Sequence, residues 1–225
     1  MTLEKKIKNI LFWIQATLSA ILISSSVLLV EILKSNWLGN IIYLFLFGIS
    51  LFLIRLVIYI SNYGFKKSRN IRKFLLGRDF IEGYWIDIVR LNDQSIREYA
   101  VIEIEYVKEE LEITGTIYNK SFERIGKFES GVSKYRKRKL EYGYSRKADH
   151  ERTEQASGLG KYEFIKNKPF PLTFVGSFFD SEVDHRVNLE GVKINSERHI
   201  KLLSTKNIQD EVTVLKEQVN RHFKK

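Results

Sequence analysis

The sequence predicts an antiparallel all-β up-and-down barrel of about eight strands, preceded by an N-terminal two-helix transmembrane hairpin and followed by a C-terminal amphipathic helix. Three observations predict it. Two long apolar runs lie close together before residue 61. Short segments of period-two alternation then follow one another from residue 80 to residue 193. An apolar i, i+4, i+7, i+11 pattern closes the chain.

The first apolar run, Ile10 to Val30, holds 21 residues without a charge. A helix of that length covers roughly 30 Å, the thickness of a hydrocarbon core. Its polar points are Gln15 and Ser24-Ser25-Ser26, and serine is tolerated there because its hydroxyl can bond within or between helices. The second run, Ile41 to Ile60, is broken by Arg55 alone. Near the end of its helix, Arg55 either snorkels to the interface or makes a polar contact used in assembly. Glu31, Lys34, Trp37 and Gly39 fall in the short join, so the two helices are expected to be antiparallel neighbours. Trp13, Trp37, Tyr43 and Tyr59 lie near the run ends, where amphipathic rings favour an interface.

Lys5, Lys6 and Lys8 precede the hairpin, and Lys66, Lys67, Arg69, Arg72, Lys73 and Arg78 follow it. The positive-inside rule then places both termini in the cytoplasm of a multi-pass membrane protein. The first run is too long for a signal-peptide core and lacks a convincing cleavage site, so it is expected to persist. Ser68 to Leu76 reads either as a short helix on anionic headgroups or as a solvated linker. The expected domains are a hairpin at 1–63, a basic juxtamembrane linker at 64–78, and a cytosolic barrel with its C-terminal helix at 79–225.

The formal charge of +10 is uneven, with 10 Lys/Arg against 2 Asp/Glu in residues 1–77 and 27 against 25 in the rest. The basic excess is not on the expected barrel, which argues against DNA or RNA as a partner. There is no cysteine, which excludes disulfides, thiolate catalysis and Cys-ligated zinc.

The strand candidates are Phe80–Leu91, Tyr99–Val107, Leu111–Tyr118, Phe122–Ser130, Lys139–Arg146, Gly160–Ile165, Leu172–Asp180 and Arg186–Lys193, with His199–Leu203 as a possible ninth. Alternation is clearest where Ile102, Ile104 and Tyr106 oppose Val101, Glu103 and Glu105, and where Leu111, Ile113 and Gly115 oppose Glu112, Thr114 and Thr116. Turns at Leu91-Asn92-Asp93 and Lys108-Glu109-Glu110, and the absence of long helices between strands, predict antiparallel neighbours. A barrel removes the sheet edges; a sandwich is the alternative. Asn207 to Phe223 reads as an amphipathic helix through Ile208, Val212, Leu215 and Val219, capped by Thr205 or Asn207. It either packs on the barrel or associates with another protomer.

Gly83-Tyr84-Trp85 matches the G-x-W pattern of small barrels such as lipocalins, in which the Trp closes one end and stacks on a late Arg. Arg198 is the candidate partner. Lys134-Tyr135-Arg136-Lys137-Arg138-Lys139 reads as a solvated loop or a phosphate-binding one. Aromatic and cationic residues gather on neighbouring strand candidates: Tyr118, Lys120, Tyr142, Tyr144, Arg146, Tyr162, Phe164, Phe174 and Phe178. Aromatic faces with Arg or Lys suit a nucleobase and its phosphates; they also suit a core. Tyr118, Tyr144, Arg146, Tyr162 and Phe178 are the candidate ligand-binding residues. His150, His185, His199 and His222 show no metal-ligand spacing, Asp180, Asp184 and His185 read as turn residues, and Gly158-Leu159-Gly160 reads as an ordinary turn. No catalytic or metal site is expected.

Taken in order, the hairpin at 10–60, the basic linker, F-I-E-G-Y-W at 80–85, I-T-G-T-I-Y-N at 113–119, G-K-F-E-S at 126–130 and F-V-G-S-F-F-D at 174–180 resemble a known family. It is the two-transmembrane, β-strand-rich membrane effectors of CBASS anti-phage systems, associated with cGAS/DncV-like nucleotidyltransferases. The resemblance implies no resident cofactor and no enzymatic activity. It implies a barrel that binds a cyclic dinucleotide or related cyclic oligonucleotide, self-association on activation, and disruption of the bacterial inner membrane leading to cell death. A membrane-tethered, lipocalin-like carrier of a lipid or small hydrophobe is the alternative, and would need an apolar pocket. A membrane scaffold for protein partners would instead need an exposed apolar patch.

Overall fold

A computed structural model describes residues 3–32, 37–90, 95–107, 110–149, 155–167, 169–180 and 186–223. The turns expected at Leu91-Asn92-Asp93 and Lys108-Glu109 lie outside these residues, as do His150, Asp184 and His185. The chain divides into two units, Leu3–Leu75 and Leu76–Lys225.

The apolar runs of the first unit form α1 (Leu3–Ile32) and α2 (Trp37–Lys67), which pack against each other, and α3 (Arg69–Leu76) follows. Among the described residues, no helix is long and apolar enough to cross a membrane. This corrects the expected transmembrane hairpin, and with it the inner-membrane location and the orientation drawn from flanking charge. Polar side chains interrupt both helices: Gln15, Thr17, Ser19, Ser24 and Ser25 in α1, and Arg55 in α2. Phe12, Trp13, Phe45 and Phe52 are nonetheless exposed. The start of α3 is set by Arg72, which turns back to donate to the Phe65 and Lys66 carbonyls at 3.0 and 2.9 Å. It thereby satisfies acceptors that the end of α2 leaves open.

The second unit is a closed barrel of eight strands in sequence order. They are β1 (Gly83–Arg90), β2 (Ile96–Val107), β3 (Glu110–Tyr118), β4 (Arg124–Arg136), β5 (Lys139–Ala148), β6 (Gln155–Phe164), β7 (Thr173–Asp180) and β8 (Val187–Lys193). Every neighbouring pair is antiparallel, and β1 pairs with β8 to close the ring, with Trp85 opposite Lys193. The sheet thus has no free edge.

Alternation gives the wall two apolar surfaces. Inside lie Trp85, Ile102, Ile104, Ile113, Leu140, Tyr162, Phe164 and Phe174, none more than 2% exposed. Outside, Tyr84, Ile86, Ile88, Tyr99, Val101, Tyr118 and Val192 form a second core with Leu203, Val214, Leu215 and Val219. The last four belong to α4 (Glu197–Ser204) and α5 (Ile208–His222). The amphipathic C-terminal helix therefore covers one side of the barrel. Asn207 is its N-cap and accepts from the Gln209 amide at 2.8 Å. The His199–Leu203 segment, a possible ninth strand, is helical because its two ends are four apart and both buried on one helix face. His199 contacts Glu217 at 2.7 Å and Gln218 at 3.1 Å, joining α4 to α5.

Five large rings on the inner face each lie directly across the ladder from a glycine: Phe128 from Gly115, Tyr142 from Gly160, Tyr144 from Gly158, Tyr162 from Gly176 and Phe174 from Gly191. A Cβ on any of these glycines would approach the opposing ring to between 2.2 and 2.9 Å. The missing side chains are the space the rings occupy. Gly158 and Gly160 are therefore strand residues of β6, not the turn expected from sequence.

The basic segment at 134–139 is likewise not a loop. It is the tip of the β4–β5 hairpin, with a two-residue turn at Lys137 and Arg138 in the left-handed region (φ 50° and 63°). Tyr135 points inward there and meets Phe164 edge-on at 6.1 Å.

A candidate site at the barrel mouth

One end of the barrel is closed. The Trp85 indole donates to the Ile81 carbonyl at 2.9 Å and packs against Phe164 and Phe174 at 5.1 and 5.4 Å. The Lys193 ammonium stands over Phe80, Trp85 and Phe170, at 4.8, 5.1 and 5.0 Å from the ring centres. A buried cation surrounded by ring faces gains from their quadrupoles. The cation that stacks on Trp85 is thus Lys193, its ladder partner, and not Arg198. Arg198 lies on α4 with its side chain 72% exposed and meets Glu217 at 3.7 Å.

At the other end the inner wall turns polar. A cavity of about 40 Å³ is lined by Asp87, Glu98, Tyr142, Tyr144, Arg146, Tyr162 and Phe178, with Phe128, Val89, Ala100, Ile117 and Leu189. Four of the five candidate ligand residues meet here: Tyr144, Arg146, Tyr162 and Phe178. Strand parity brings them together, because residues 144 and 146 share the inner face of β5 while 162 and 178 take the same face of β6 and β7. Phe128 and Phe178 each meet Tyr144 edge-on at 6.2 Å.

Tyr118 is not part of this site. It ends β3 on the outer face, is fully buried beneath α5, and donates to Glu211 at 2.6 Å. Burial, reinforced by the Glu211 carboxylate, holds its hydroxyl protonated well above the usual range. Lys120 lies in the turn between β3 and β4 and is exposed.

Sequence reasoning missed the acidic half of the cavity. Arg146 pairs with Glu98 at 3.5 Å, the two side chains being 21% and 8% exposed. Asp87 is 3% exposed. It bonds the Tyr162 hydroxyl and the Ala100 amide, while its Oδ1 has no hydrogen-bond partner. Loss of water raises its pKa well above the usual carboxylate range, and the Glu98 charge adds to the rise. The hydroxyls of Tyr142 and Tyr162 bond each other, and burial raises both pKa values. The signal was available: in G-Y-W-I-D-I-V the aspartate shares strand parity with Trp85, so it faces inward wherever Trp85 does.

Other surfaces are grooves on the outer wall. One of them takes Arg90, Lys161 and Arg186, in a volume of about 520 Å³, but Arg90 is held by Glu190 at 2.8 Å. Among the described residues, no cluster of three or more acidic or histidine side chains is arranged to hold a metal. Comparisons with protein-family models, with curated proteins and with solved structures find no match to this chain.

Proposed function

We propose that the barrel is a receptor for a cyclic nucleotide second messenger, read at the polar mouth. The observation that carries this is the convergence of Tyr144, Arg146, Tyr162 and Phe178 on one cavity with Phe128, Asp87 and Glu98. Aromatic faces stack on bases, a contribution of roughly 1–3 kcal/mol each in single-strand binders. A guanidinium matches phosphate geometry, and hydroxyl and carboxyl groups read a base edge. A cavity of about 40 Å³ admits an exocyclic group. The ring and phosphates belong at the rim, where Phe128, Tyr144, Arg146 and Phe178 are all partly exposed. A carrier of hydrophobes would need a cavity without ionisable groups; among the aromatic and aliphatic side chains of this one stand two carboxyls, a guanidinium and three tyrosine hydroxyls.

The reading keeps the sensing arm of the CBASS resemblance: an anti-phage receptor that answers the product of a cGAS/DncV-like nucleotidyltransferase, with ligand-driven self-association as its output. Ligand can drive association only if it binds the associated form more tightly.

The test is a thermal-shift panel on the full-length chain with cyclic di- and trinucleotides. One class of ligand should raise the melting temperature of the barrel by mass action, and Arg146→Ala should remove the shift. No shift with any cyclic nucleotide would refute the reading.

A further inference from the structure

We infer that Asp87 is the specificity-determining residue of the barrel mouth: its unpartnered Oδ1 donates a hydrogen bond to a carbonyl oxygen on the ligand's base. The inference rests on the nucleotide reading and names the base chemistry that the site accepts.

Three features converge. First, Oδ1 is buried, has no partner and belongs to a side chain lining the cavity. An orphaned buried polar atom is rare in a folded protein and marks a bound group or a function. Second, the donors that reach this carboxyl, the Tyr162 hydroxyl and the Ala100 amide, act on the other oxygen, since Oδ1 has none. With the other oxygen accepting these two bonds, the proton of a neutral Asp87 belongs on Oδ1, the oxygen without a partner. Third, the surroundings favour the neutral form. The groups around Asp87 are Glu98 on β2, Tyr142, Tyr144 and Arg146 on β5, and Tyr162 on β6. Glu98 already engages the one guanidinium among them, and a second buried carboxylate would repel it.

A neutral carboxylic acid in the wall of an aromatic cavity is a hydrogen-bond donor, the role such groups take when an apolar site holds them protonated. The volume of about 40 Å³ takes an exocyclic oxygen. It does not take a ring. A keto base, guanine or uracil, presents such an acceptor. Adenine and cytosine present an amino group at the corresponding position, which would set donor against donor.

The experiment compares full-length wild type, Asp87→Asn and Asp87→Leu by calorimetric titration with matched cyclic dinucleotides, guanine against adenine and uracil against cytosine. Asparagine can place its carbonyl toward Tyr162 and Ala100 and its NH₂ into the cavity, so it keeps the donor. Wild type and Asp87→Asn should both prefer the keto base by about tenfold or more, the scale of a buried donor left facing a donor. Asp87→Leu, checked as folded by circular dichroism, should lose the preference. A wild-type preference that survives in Asp87→Leu, or that is lost in Asp87→Asn, overturns the inference. An infrared arm needs no ligand: the carbonyl stretch of a protonated carboxylic acid should be present at neutral pH in wild type and absent in Asp87→Asn. Its absence from wild type overturns the inference even where nucleotides bind. Absence of binding by every nucleotide, with the infrared band in place, strikes the receptor reading itself.

Discussion

The two ends of the barrel use charge in opposite ways. At the closed end, Lys193 is buried against three ring faces and donates to the Phe80 carbonyl at 3.3 Å. At the mouth, Asp87 is as deeply buried but keeps one oxygen without a partner, and Glu98 and Arg146 meet only at 3.5 Å. A satisfied buried charge rigidifies its surroundings, whereas an unpaired buried polar atom is costly to leave unmatched. The closed end has its buried charge matched, and the mouth leaves one buried oxygen unmatched.

The widest break in that contrast should come from Trp85→Ala. It removes the ring on which Phe164, Phe174 and Lys193 converge, and large aromatic truncations in a core cost about 3–5 kcal/mol. Hydrogen exchange of β1 and β8 amides should accelerate accordingly, without a change in base preference in whatever fraction remains folded. Arg146→Ala, at the mouth, should cost less stability, about 2 kcal/mol, because Glu98 loses its partner at a site still open to water. Its main effect should be on binding. If it proves as destabilising as Trp85→Ala, the mouth is a structural element and the contrast fails.

A pH series sharpens the comparison further. Burial raises the Asp87 pKa, so the folded barrel should keep a proton there that the unfolded chain releases above about pH 4. Above that pH the unfolded state binds fewer protons, so stability falls as pH rises until Asp87 itself ionises. Asp87→Asn should abolish this slope: its stability relative to wild type should improve from pH 5 to pH 8, read by exchange of the β1 amides. A pH-independent difference would mean that Asp87 does not retain its proton. The smallest effect belongs to the β4–β5 turn at the closed end. Arg138 has a φ of 63°, which glycine adopts without strain, so Arg138→Gly should stabilise the hairpin by about 0.5–1 kcal/mol in thermal melts.

Most of the barrel was legible because period-two alternation states which face each residue takes. Eight strands, their order and the four residues that meet at the mouth follow from it. Tyr118 was misplaced although the same rule assigned it: Leu111, Ile113 and Gly115 face inward, which turns residue 118 out toward α5. Asp87 was passed over because a charge inside a strand of aromatics reads as an outward residue until Trp85 fixes the parity. The hairpin at 134–139 was hidden by composition, since five cations in six residues look like a loop while Tyr135 alone reports the inner face. Helix α4 was hidden by brevity, because a five-residue apolar segment fits either period. The apolar runs gave the helices α1 and α2, but hydrophobic length alone did not fix their setting: among the described residues neither is apolar over enough of its length to span a bilayer.

The glycine opposite each inner ring has a consequence for how this sequence can vary. Gly160 and Tyr142 fill one volume between them, as do Gly158 with Tyr144 and Gly191 with Phe174. Neither member is free to change alone: a methyl on the glycine collides, and a smaller residue at the ring leaves a hole. Substitution at such a couple is expected to be reciprocal, with bulk passing from one strand to its neighbour in a single exchange. A pairwise mutational scan of β5 against β6 would find the inner wall tolerating alanine at 160 only where 142 has surrendered its ring, two distant codons behaving as one locus.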